Sequence, residues 1–254
     1  MSLETLQSLP LITLFVAFLG PFLGGLVKGM LGIGLPLVAL PFLLLAVDIQ
    51  SAILLLVGPM LTTNLWQSIL DGGVRELAAR YWLLLAMVFA GLFIGLQILV
   101  GADTATLNII VGTSLIAMAL ILWRTPKLTI TRRLRVPVEA LTGLTAGMLG
   151  GVTSLFAPPL ITFLAAQRLD KDIFVRHISF LYLVCVSILI VLLIQKGVMT
   201  SAMLVPALIA IGLTHTGLEI GRLLRGRVNG DAFQKAILIV MVLSGLNLLR
   251  KALF

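Results

Sequence analysis

Apolar residues fill this chain in eight runs, at about 11–45, 51–70, 81–100, 107–123, 136–166, 175–195, 200–221 and 233–249, with polar residues gathered in the short gaps. Six runs have the length of one membrane crossing, for which a helix needs about 20 apolar residues. The other two, 11–45 and 136–166, are too long for one crossing and carry glycine and proline at mid-length. Proline removes an internal helix hydrogen bond and glycine weakens the backbone, so each of these runs predicts a hairpin of two segments.

The two long runs repeat each other. Gly25, Leu26, Gly29, Met30, Leu31, Gly32 and Pro41 recur as Gly143, Leu144, Gly147, Met148, Leu149, Gly150 and Pro159. Further along, Gly73-Val74 parallels Gly197-Val198, and Gly91 and Gly95 parallel Gly217 and Gly221. The expected fold is an all-α integral membrane protein of 8–10 membrane segments. It comprises two repeats, 1–124 and 136–254, joined by a basic loop over 125–135 and each made of a Gly/Pro-broken hairpin and three transmembrane helices. Five segments per repeat is an odd number, so the second repeat is inverted relative to the first, an arrangement common in secondary transporters.

Composition agrees and narrows the choice. The chain is 60% hydrophobic and 11% charged, with a mean hydropathy of +1.18. The first run lacks a small-residue cleavage site and reads as a retained segment rather than a signal peptide. A net charge of +8 raises nucleic-acid binding, but the basic residues lie in short loops with no soluble fold to present them. If each hairpin returns to its starting side, 14 basic residues from Arg75 to Lys235 share one face, and only Lys196, Arg250 and Lys251 the other. Basic loops stay cytoplasmic, so the first face is expected inside and both termini outside. The single cysteine, Cys185, excludes an internal disulfide, and two histidines with few acids leave no metal cage. Neither a catalytic triad nor a P-loop is present, so the chain does not read as an enzyme and no cofactor is expected.

Of the 18 basic residues, 17 lie in loops or at helix ends, and Lys28 is the exception, inside the first broken segment. An ionisable group at membrane depth is costly and is normally functional or paired; the alternatives are snorkelling to a surface or pairing with a distant acid such as Glu219. Gly29, Gly32 and Gly34 surround it, and Pro36 suits the first turn of a helix restarting after the break. Exposed amides at such a start attract anions. Gly150, Thr153 and Ser154 occupy the corresponding break of the second half and add hydroxyl donors. Asn64 and His177 are further binding candidates, while His215 and Glu219, one turn apart, fit either a proton relay or interhelical hydrogen bonding. Helix-packing glycines would explain Gly91, Gly95, Gly217 and Gly221 without any site.

The doubled G-L-x-x-G-M-L-G pattern with prolines following, the length and the matching halves resemble the TauE/SafE family of sulfite exporters. The resemblance spans essentially the whole chain. It implies a bacterial inner-membrane protein that moves sulfite, sulfonates or related anions by secondary transport, mainly export, without an organic cofactor. Ile33-Gly34-Leu35-Pro36 and Gly151-Val152-Thr153-Ser154 depart from the glycines common at these places, and Gly58-Pro59-Met60 and His177-Ile178-Ser179 replace a usual Gly-Thr-Ser. A permease for carboxylate or phosphate, a passive anion channel and a non-transporting scaffold remain as alternatives.

Overall fold

The computed structural model describes residues 11–71, 74–124, 132–199, 203–225 and 230–253. These form eleven α-helices and one short 3-10 turn, with no strand among the described residues. The first long run becomes α1 (Leu11–Leu31) and α2 (Leu35–Ala46). They are followed by α3 (Ile49–Asp71), the short α4 (Val74–Arg80), α5 (Trp82–Gly101) and α6 (Thr104–Arg124). The second long run becomes α7 (Arg135–Thr153) and α8 (Ala157–Ala165), preceded by the turn Arg132–Leu134. Then come α9 (Lys171–Gln195), α10 (Leu204–Leu224) and α11 (Gly230–Leu253).

Six helices (α1, α3, α5, α6, α9 and α10) are long and apolar enough to cross a bilayer. The other five helices are α2, α4, α7, α8 and α11. Sequence reading placed Arg75 and Arg80 in a loop; they lie on α4, which buries Leu77 and leaves its charges outward. Gly73, Lys127 and Arg227, used above to define the repeat and the basic face, fall outside the described residues.

Packing follows the repeat. α1 lies against α10, and its counterpart α7 lies against α5, so each hairpin is clasped by a helix of the other half. Glycines make both crossings close. A Cβ on Gly25 or Gly29 would strike the backbone oxygen of Thr214 or Leu218, and one on Gly143 or Gly147 would strike that of Leu84 or Val88. Helix pairs in lipid gain from dispersion contacts, which need such small residues at the seam. The remaining pairs, α3 with α9 and α6 with α11, join corresponding helices directly.

The two breaks differ. In the first, α1 ends at Leu31, and Gly32 (φ 84°) and Gly34 (φ 104°) take left-handed backbone angles before α2 restarts. Such angles are strained for a residue with a Cβ. In the second, α7 runs past Gly150 and ends at Thr153, one turn later relative to the shared motif. Pro36 and Pro158 each stand second in the restarted helix, the place where a missing N–H costs nothing.

Candidate functional site

Lys28 is only 4% exposed, three residues before the end of α1. Its ammonium donates to Asn64 Oδ1 on α3 at 2.5 Å. Asn64 is fixed in turn, because its Nδ2 donates to the Met60 carbonyl at 2.7 Å and leaves the oxygen aimed at Lys28. The Lys28 ammonium thus faces an amide dipole, and among the described residues no carboxylate is paired with it.

Around this pair lies a cavity of about 10 Å³. Gly32, Gly34 and Pro36 of the first break line one wall, with the start of α2 opening onto it. Ser179 and Tyr182 of α9 line the opposite wall. A single water needs about 10–15 Å³, so the cavity as it stands is too small for an anion of several oxygens. Ser179 Oγ donates to Gln67 Oε1 at 3.1 Å, which ties α9 to α3 beside the site.

Five residues expected from sequence therefore line one cavity: Lys28, Gly32, Gly34, Pro36 and Asn64. Gly29 sits in the α1–α10 crossing. Gly150 lies under the Phe156 ring, which a Cβ would strike. Thr153 and Ser154 are fully buried in the second break, and their hydroxyls are engaged locally. Thr153 Oγ1 donates to the Leu149 carbonyl at 2.7 Å and accepts from the Leu155 amide at 3.1 Å, and Ser154 Oγ donates to the Thr153 carbonyl at 2.6 Å. The second break meets the cavity wall through Phe156, whose ring stands edge-on to Tyr182 at 5.8 Å. His177 shares a 2.8 Å hydrogen bond through Nδ1 with Tyr81 Oη, away from Lys28. Burial pushes the Tyr81 phenol above its ordinary pKa, so it stays protonated at neutral pH. His215 Nε2 lies 3.0 Å from Thr62 Oγ1 on α3, and Glu219 pairs with Arg222 at 2.9 Å on the exposed face of α10.

Tyr182 was not expected from sequence, while Ser179 belongs to the His177-Ile178-Ser179 segment, a departure from the family pattern. Asn64 and Gln67 are three residues apart and share the face of α3 that receives α9. Among the described residues no cluster of His, Cys, Asp or Glu could hold a metal ion.

A family model described as Sulfite exporter TauE/SafE matches residues 17–248, nearly the whole chain. The chain belongs to the TauE/SafE family. It is thus a multi-pass membrane protein of a transporter family, exporters of sulfur-containing anions. No curated protein and no solved structure matches the chain. Within this TauE/SafE protein, the cavity at Lys28 joins a buried cation to a helix start.

Proposed function

We propose that this TauE/SafE protein is a secondary transporter that exports a small sulfur oxyanion, sulfite or a short organosulfonate, by alternating access around Lys28. The observation that carries this reading is a buried ammonium with no carboxylate partner beside a helix start. An uncompensated cation at membrane depth is expensive unless a ligand answers it. The first-turn amides of α2 carry positive partial charge toward the same point, and Ser179 and Tyr182 add hydroxyls. One bundle rocks against the other during the cycle. The arginine-rich end faces the cytoplasm of a bacterial inner membrane and both termini face outward, in line with the positive-inside bias. Thr153 and Ser154 serve to shape the second break. His215, on Thr62 two residues from Asn64, is the better placed of the two proton-coupling residues, because Arg222 already holds Glu219.

Thermal unfolding of the purified protein with sulfite, a short alkyl sulfonate, sulfate, phosphate and acetate tests the assignment. A ligand that binds only the folded state raises the melting temperature with concentration. Sulfite or the sulfonate should do so for the native protein and fail for Lys28→Gln, and counterflow in proteoliposomes should fall at least about tenfold, the loss of ~1.4 kcal/mol or more expected when a charge-assisted hydrogen bond goes. A Lys28→Gln protein that unfolds like the native one, responds equally to the anions and transports at the native rate removes Lys28 from the mechanism. Flux without counterflow would mark a channel instead.

A further inference from the structure

A second cavity shares no lining residue with the one at Lys28. It is a groove of about 640 Å³ between α6 and the second hairpin, α7 and α8. One face of each helix forms it. Leu134, Val138 and Leu149 mark its length along α7 and the turn before it, while Ile121 of α6 and Ala166, just past α8, stand at the Leu134 end. From Leu134 to Leu149 is about 22 Å at the helical rise per residue. That is half of a bilayer about 40–45 Å thick, so the groove spans one leaflet from surface to middle.

Its cross-section decides what fits. Spread over about 22 Å, this volume gives a groove about 9 Å wide between atom surfaces. A helix with side chains is about 10–12 Å across and does not enter. A single hydrocarbon chain does. The wall suits one, because the hydroxyls nearest solvent lipid are already used: Thr113 Oγ1 donates to the Ile109 carbonyl and Thr145 Oγ1 to the Leu141 carbonyl.

The mouth carries charge. Leu134 is flanked by Arg133 and Arg135, both exposed, and Ala166 lies two residues before exposed Arg168. The acids near this end are Glu139, buried one turn into α7 and within the field of Arg135, and Asp170 and Asp172 before and at the start of α9. Among the described residues neither Arg133 nor Arg168 takes part in an ion pair. α11 packs on α2 more extensively than α6 does on α8, and the first hairpin is itself the tighter of the two. A smaller cavity of about 400 Å³ lies where α11 meets the end of α2.

We propose that this groove binds one anionic phospholipid of the arginine-side leaflet, with an acyl chain along α7 and the headgroup phosphate at Arg133 and Arg135. Basic pockets between membrane helices hold anionic headgroups, each nearby arginine strengthening binding about fivefold. Native mass spectrometry of the full chain in detergent, with phosphatidylglycerol and phosphatidylcholine added in equal amounts, tests it. One phosphatidylglycerol per chain should be retained, with a preference of roughly tenfold or more. Arg133→Gln with Arg135→Gln should bring the preference to about one while an acyl chain still binds. Ala117→Trp and, separately, Thr145→Phe should each expel both lipids; both positions face the groove, so they add bulk without entering the core. Native protein with no preference, or a monodisperse plugged variant retaining the same phosphatidylglycerol, overturns the assignment. Anion-induced thermal stabilisation should persist in the plugged variants, which keeps this outcome separate from the Lys28 reading.

Discussion

The Asn64 side chain is fixed by its own helix and points an oxygen at Lys28. It occupies one donor of the ammonium as a substrate oxygen would, and competes with an incoming anion for it. Asn64→Asp keeps the shape and makes that oxygen part of a fixed charge, at the loss of the donor to the Met60 carbonyl. The expected result is a folded protein in which Lys28 is permanently paired and sulfite no longer raises the melting temperature. If Asn64→Asp responds to sulfite as the native protein does, Asn64 is not in competition with the anion. The Lys28 half of this site was legible in sequence because one charge interrupts an apolar run. The Tyr182 half was not, since the face that α9 turns to α3 is set by packing between distant segments. Thr153 and Ser154 show the opposite difficulty. Their hydroxyls look available in sequence, but a broken helix leaves carbonyls and amides of its own, and these engage short side chains first.

At the scale of elements, the repeated glycines separate into two jobs. Gly25, Gly29, Gly143 and Gly147 serve the crossings with α10 and α5, while Gly32 and Gly34 turn the chain. Gly91→Leu should therefore destabilise the fold by roughly 1–3 kcal/mol or more, because its side chain would meet the α7 backbone, which cannot move aside without shifting the helix. Gly212→Leu is the control: a Cβ there meets nothing within 4 Å, and its melting temperature should be near native. Gly34→Ala costs about 1–2 kcal/mol through backbone strain, and it should also weaken sulfite binding, since the strain is released by moving the α2 start. Equal melting temperatures for Gly91→Leu and Gly212→Leu would mean that the α5–α7 seam is looser than its geometry indicates. The run boundaries read from sequence fall within a few residues of the helix ends, because lipid demands long apolar spans. The short α4 and the one-turn offset between the breaks were not readable: α4 carries more charge than apolar surface, and the offset depends on Gly151 fitting against α5.

For the whole molecule, the small cavity means that Lys28 is sealed from both ends, and one end has to open before an anion enters. The seals differ. At the arginine-rich end a buried bond joins Tyr81, just before α5, to His177 on α9, flanked by Arg80 on Gln167 at 2.9 Å. Tyr81 is 1% exposed and His177 5%. At the other end Gln50 on the Leu99 carbonyl and exposed Lys196 on Gln97 are the ties, at 3.1 and 3.2 Å. Removing one partner of a buried hydrogen bond costs about 1–3 kcal/mol, whereas exposed polar contacts are worth far less. Tyr81→Phe leaves His177 Nδ1 unpaired only while that end is closed, so it should raise the open population by roughly 5- to 150-fold. A thiol at Ser179, in a protein whose Cys185 is replaced by alanine, reports this directly, because Ser179 lines the cavity and is almost fully buried. A membrane-impermeant thiol reagent applied from the arginine-rich side should label it faster in Tyr81→Phe, while Lys196→Met should leave that rate unchanged. An unaltered labelling rate in Tyr81→Phe would mean that this buried bond does not hold the arginine-rich end shut.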